Sequence, residues 1–241
     1  MTELRDFSIG YRENRLLERV NASLDSGCLT ALIGRNGSGK STLLRALAGI
    51  NTRYTGDIII GGRNLRKMRP QELARTVAFV NTERTRISNL RCEDVVALGR
   101  APYTNWIGHL QDVDRDIVAR SLEAVGMSAF ARRSMDTMSD GECQRIMIAR
   151  ALAQDTPVML LDEPTSFLDL PNRYELVALL ARLAREQDKC VVFSTHELDI
   201  ALRFCDSIAL FDNPRLICAT PAQLKASGDL ERIFHVPDRS Y

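Results

Sequence analysis

A chain of 241 residues, 45% hydrophobic and 26% charged, holds enough material for one α/β domain with a large core, or for such a core with an inserted subdomain. Its formal net charge of +1 provides no overall field to attract a polyanion, so no nucleic-acid partner is expected. The opening Met-Thr-Glu-Leu-Arg-Asp lacks the apolar stretch of a secretory signal, and no apolar run of about 18 residues exists to cross a bilayer, so work at a membrane is expected to go through a partner.

In chain order, weak alternation through Leu4, Phe7 and Ile9 and again through Val20, Ala22 and Leu24 predicts two antiparallel strands, with Tyr11 between them. Cys28 to Ile33 is a short apolar run that reads as a buried strand. It feeds Gly34-Arg-Asn-Gly-Ser-Gly-Lys-Ser-Thr42, which fits G-x-x-x-x-G-K-[ST], and Leu43, Leu44 and Leu47 then follow at helical spacing up to Gly49. Strand, glycine loop and helix are in the order a phosphate-binding loop needs. Gly34, Gly37 and Gly39 admit backbone shapes closed to other residues, so that N–H groups converge on phosphate oxygens at the positive end of a helix. Asn36, Ser38 and Thr42 complete the candidate nucleotide contacts, Lys40 adds a mobile charge for the β- and γ-phosphates, and Ser41 offers a hydroxyl to Mg²⁺.

Further on, Gly56 to Gly62 reads as a strand closed by a glycine turn, Pro70 to Ala74 as a short helix and Val77 to Val80 as another buried strand. Helical patterns then dominate from residue 81 to about 155: Glu93 to Leu98, and Asp112 to Val125 ending at Gly126. Between them Ala101 to Gly108 reads as an aromatic loop carrying the single Trp. This stretch is the candidate helical subdomain, with residues 1–80 and 156–241 as the core. Strands at Val158–Leu161, Cys190–Ser194 and Ser207–Phe211, separated by helices, predict a parallel sheet, and a hairpin at Asp212-Asn-Pro214 and a helix capped near Thr220 close the chain. Six cysteines, at 28, 92, 143, 190, 205 and 218, show no C-x-x-C pairing and read as reduced core residues.

Two more signals carry chemistry. Val158-Met-Leu-Leu161 runs into Asp162 and Glu163, and a strand of a doubly wound sheet presents such carboxylates at its carboxyl end. Asp162 is placed to hold Mg²⁺ and Glu163 to orient or deprotonate an attacking water. Ser139-Asp-Gly-Glu142 opens a helical run in which Ile146, Ala149 and Leu152 share a face. Ser139 and Glu142 have capping-box spacing, which accounts for them without a function, while a helix N-terminus with Gly141 is also an anion site.

Together the three signals, their order and the helical insert resemble the ATPase subunit of ATP-binding cassette (ABC) transporters. The resemblance implies a P-loop NTPase (RecA-like) α/β core with an N-terminal antiparallel β subdomain and an inserted α-helical subdomain. It also implies ATP and Mg²⁺ as cofactors and hydrolysis of ATP. On it, Ser139-Asp-Gly-Glu142 matches the family's signature sequence, so Ser139, Gly141 and Glu142 would meet the nucleotide of a second copy in a head-to-tail homodimer, with the Asp140 and Glu142 side chains turned away. Tyr11 would stack on adenine, His196 in Ser194-Thr-His196 would reach the γ-phosphate, and Asp169 of Ser166-Phe-Leu-Asp169 would communicate across the dimer. Three departures stand out: Arg35 where proline is common, Asp140 and Glu142 within the signature, and Asn81-Thr-Glu83 where a glutamine usually contacts the metal. That makes Thr82 a candidate metal contact, with Glu83 as a substitute.

The segment Ala97 to Trp106 most resembles importer ATPases for iron-siderophore, haem or cobalamin compounds, with Tyr103 and Trp106 as contact or core residues. Implied partners are integral membrane permease subunits and, indirectly, a substrate-binding protein, at the cytoplasmic face of the inner membrane. The alternative is a nucleotide-gated clamp on ribosome or DNA; such proteins generally carry two cassettes, a long coiled-coil insert or a basic extension, which this sequence does not show.

Overall fold

The computed structural model describes residues 1–11, 14–82, 89–104, 108–166 and 168–234; Glu83 and Trp106 lie outside them. An antiparallel sheet is built from β1 (Thr2–Tyr11), β2 (Asn14–Leu24), β4 (Tyr54–Ile60) and β5 (Arg63–Asn64), in the order β2-β1-β4-β5. The uneven spacing of its buried residues has a local cause. The pairing of β1 with β2 shifts register between Leu4 and Phe7, where Asp6 has a φ of 48°, so a bulge returns Phe7 to the buried face.

A second sheet takes β3 (Leu29–Ile33), β6 (Val77–Val80), β7 (Val158–Leu161), β8 (Cys190–Thr195), β9 (Ser207–Asp212) and β10 (Arg215–Ala219) in the order β10-β9-β3-β8-β7-β6. Its strand pairs are parallel except for the β9–β10 hairpin. Alternation along these strands divides the core. Ala31, Ile33, Met159, Leu161, Val191 and Phe193 face one cluster, shared with most of the helices. Leu32, Val158, Leu160 and Val192 face the other, which joins Phe7 and Leu17 of the antiparallel sheet to Leu44 and Leu47 of α1 (Lys40–Leu47).

The remaining helices are α2 (Pro70–Ala74), α3 (Cys92–Ala97), α4 (Asp112–Ala124), α5 (Asp140–Ala153), α6 (Leu170–Glu186), α7 (Leu198–Phe204), α8 (Pro221–Ser227) and α9 (Asp229–Phe234). Helices α3, α4 and α5 pack together as the insert, and α5 also meets β6. Surrounded in this way, α5 buries Ile146, Met147, Ile148, Ala149, Ala151 and Leu152, more than the single face its sequence suggests.

The aromatic segment, expected as a loop over Ala101 to Gly108, differs in its first three residues, which belong to a 3₁₀ helix, Leu98–Tyr103; residues 105–107 lie outside the described residues. Gly99 permits the close approach of this 3₁₀ helix to α5: a Cβ there would lie 2.2 Å from the Arg150 carbonyl oxygen. Arg100 beside it is buried, pairing with Asp114 at 2.8 Å and donating to the Ala153 carbonyl at 2.8 Å. The reading of all six cysteines as core residues is corrected at two: Cys218, on edge strand β10, is exposed, and Cys28 is half-buried. None of the six is in a disulfide. Among the described residues no helix is long and apolar enough to cross a membrane.

Candidate active site

The loop between β3 and α1 is shaped by its glycines. Gly39 occupies the position before α1 with a φ of 105°, and no side chain caps the helix there. The N–H groups of Lys40, Ser41 and Thr42 are therefore free for an incoming anion. Lys40 is only 6% exposed. Its Nζ donates to the carbonyls of Gly34 (3.1 Å) and Arg35 (3.4 Å), folding the charge back on its own loop. Burial pushes the Lys40 ammonium below the usual lysine range, against the opposing pull of the Glu163 and Asp162 carboxylates. Such a desolvated cation gains most from a phosphate.

Asp162, 2% exposed, emerges from β7 into a set of hydroxyl groups. Ser41 Oγ (2.9 Å) and Ser194 Oγ (2.7 Å) both donate to its Oδ1. Ser194 in turn accepts from the Glu163 backbone N–H at 2.8 Å, so one residue of β8 fixes both carboxylate positions. Thr82 is placed beside the same residue, but its hydroxyl donates to the Asp162 carbonyl at 3.0 Å. Glu163 has a φ of 45°, an uncommon conformation for a residue with a Cβ, and its Oε2 lies 3.1 Å from the Ser166 hydroxyl.

Lys40, Ser41 and Glu163 line a cleft of about 530 Å³ together with, among others, Tyr11, Asn36 and His196. Tyr11 is 55% exposed at the mouth, its hydroxyl 3.2 Å from Thr42 Oγ1. His196 is exposed at the rim. The donor set fits Mg²⁺: Ser41 Oγ and the Asp162 carboxylate are adjacent hard oxygens, few enough to leave positions for phosphate oxygens and water. Among the described residues no group of three or more His, Cys, Asp or Glu is arranged to hold a metal ion.

Ser139, Gly141 and Glu142 do not line that cleft. They form the start of α5, where Ser139 Oγ accepts from Glu142 N (3.3 Å) and Glu142 Oε2 accepts from Ser139 N (2.8 Å). The backbone hydrogen bond from Ser139 holds the Glu142 carboxyl below its ordinary range. Asp169 caps α6 by accepting from Asn172 N at 3.1 Å, a role the sequence reading did not give it. Tyr103 is anchored inside the chain, its hydroxyl donating toward the carbonyls of Gln154 (3.1 Å) and Asp155 (3.3 Å). Also missed was Glu197, which accepts from Thr165 (3.0 Å) and Arg173 (3.1 Å) and so ties the turn after β7 to the chain after β8. Its acidic position directly after the Ser-Thr-His segment was the available signal.

The family model described as ABC transporter matches residues 17–166. The iron(3+)-hydroxamate import ATP-binding protein FhuC of Bacillus subtilis is 35% identical over 95% of this chain and 85% of its own length. The hemin import ATP-binding protein HmuV of Nocardia farcinica is 38% identical over 92% of this chain and 77% of its own. Among solved structures, a dimeric ATP-binding cassette in a post-hydrolysis state, bound to ADP and Pi, superimposes with a TM-score of 0.76 at 26% identity, covering 92% of this chain and 99% of that one. With the fold, the phosphate loop and the Asp162–Glu163 strand end in agreement, the chain belongs to the ABC transporter family and is an ATP-hydrolysing subunit of it.

Proposed function

We propose that this ATPase powers import of a metal-chelate compound of the iron-siderophore, haem or cobalamin type, as a homodimer at the cytoplasmic face of the membrane beneath permease subunits. The cargo class is supported by the resemblance of Ala97 to Trp106 to that importer subgroup and by the import of iron(3+)-hydroxamate and hemin by the two relatives. One observation carries the mechanism: Lys40, Glu163 and His196 meet in one cleft while Ser139 lies elsewhere in the same chain. The cleft is thus half a site, and Ser139 and the N–H groups around Gly141 of a second copy cover the γ-phosphate.

In this arrangement the freed N–H groups of α1 and Lys40 bind the phosphates, and Tyr11 offers its exposed ring to the base. Ser41 and the Asp162 carboxylate would hold Mg²⁺, which when bound would supply charge neutralisation at the phosphate oxygens. Glu163 accepts a proton from the attacking water, oriented by Ser194 through its backbone and by Ser166 through its carboxylate. His196 donates to the γ-phosphate from the rim. Uptake of ferric hydroxamate, haem and cobalamin into cells carrying wild-type or Glu163→Gln protein tests the proposal. Loss of one of these uptakes in the variant is the expected outcome; unchanged uptake of all three contradicts the cargo assignment.

A further inference from the structure

A loop whose N–H groups turn inward to phosphates must send its carbonyl oxygens outward, and those need partners of their own. On this loop Lys40 reaches Gly34 and Arg35 from inside. The Ser38 carbonyl is served from behind, by Asn213 Nδ2 at 3.0 Å, from a residue 175 positions further along the chain.

Asn213 stands in the turn between β9 and β10, and that turn is held on several sides. Phe211, 2% exposed, packs so tightly on the start of the loop that a Cβ on Gly34 would sit 2.7 Å from its own Cβ. The Pro214 carbonyl accepts from Glu18 N of β2 at 2.9 Å. The Asp212 carboxylate receives two N–H groups of Arg232 on α9, at 3.2 and 2.9 Å, and Arg232 also reaches Asp229 at 2.9 Å.

The geometry points to Asn213 as a positioning residue for the phosphate loop. The Ser38 carbonyl and the Gly39 N–H belong to one planar trans peptide and point in opposite directions, so fixing the oxygen outward aims the hydrogen into the cleft that Gly39 lines. Glycine at 39 makes the rotation of that peptide cheap, since Gly accepts either sign of φ. Rotation would replace a donor facing the phosphates by an acceptor. The amide of Asn213 is the contact that opposes this rotation, and its own place is set by β9 and, through Asp212 and Arg232, by α9.

The test measures affinity for MgATP by calorimetry on the full chain, with the melting temperature of the nucleotide-free protein taken in parallel. Asn213→Ala is expected to weaken ATP about five- to tenfold. Asn213→Asp, which sets a carboxylate against the carbonyl, weakens it further, and Asn213→Gln, which keeps an amide N–H, returns most of the affinity. In the assembled transporter the loss falls on KM, with kcat within about twofold of wild type. Affinities of Asn213→Ala within about twofold of wild type, or a lowered melting temperature with unchanged affinity, or a Gln variant as weak as the Ala variant, would overturn the assignment; where Asn213→Asp does not fold, Asn213→Ala decides. Lys40→Ala, which loses ATP by a different contact, separates this outcome from a failure of the nucleotide site itself.

Discussion

In the proposed mechanism Lys40 binds the phosphates and Glu163 takes a proton from the water that attacks them, and both side chains line one cleft. Lys40 is a buried charge that its own loop carbonyls satisfy only in part, so a phosphate replaces weak partners by a strong one. Lys40→Ala should therefore weaken ATP about 10- to 100-fold, the worth of one charge-assisted hydrogen bond, as a binding isotherm will show. Glu163→Gln keeps the shape and the Ser194 contact, which runs through the backbone. It should bind ATP within about threefold of wild type and hydrolyse it at least about 100-fold more slowly in single turnover. Equal hydrolysis rates would remove Glu163 as the base. Both residues were legible in the sequence because each closes a pattern with a known physical use. Ser194 and Asn213 were not: Ser194 is a small hydroxyl on one strand that donates to the Asp162 carboxylate at the end of another and accepts from the Glu163 backbone N–H, and Asn213 lies far along the chain from Ser38. Only the strand order β8-β7 and the β9–β10 turn bring them there.

Helix α5 begins in a capping box that serves the fold whether or not a nucleotide is present. Ser139→Ala should cost about 1 kcal/mol of stability in denaturant melts. Because the cap holds the Glu142 carboxyl below its ordinary value of 4.5, the folded chain binds that proton less tightly than the unfolded chain. Its contribution is complete above about that value and is lost as pH falls through the lower folded one. Glu142→Gln, which still offers an oxygen to Ser139 N but no charge, should be less stable than wild type at pH 7 and lose less stability on acidification. The capping box was readable from spacing alone. The 3₁₀ turn at Leu98–Tyr103 was not, since the fit of Gly99 on α5 and the buried Arg100–Asp114 pair are tertiary facts. Removing one member of that pair, as in Arg100→Ala, should cost about 3–5 kcal/mol, while R100M/D114L should cost much less. Urea denaturation of the three proteins measures the difference.

At the scale of the whole molecule, strand parity sends α1 and the antiparallel sheet to one face of the parallel sheet and most of the other helices to the opposite face. The carboxyl ends of β3, β7 and β8 then converge on one cleft, as the alternation of strands and helices implied. What the sequence could not locate by spacing is the distance between Ser139 and that cleft, which depends on where the helical insert packs. That separation is the reason a single chain should bind ATP far better than it hydrolyses it. The most direct measurement is ATPase activity in mixtures of Lys40→Ala and Ser139→Ala chains. If each site is formed by the loop of one copy and Ser139 of another, a mixed dimer keeps one intact site. Activity should then exceed that of either variant alone and peak at equal proportions. Activity that never rises above the two variants at any ratio would contradict the shared site.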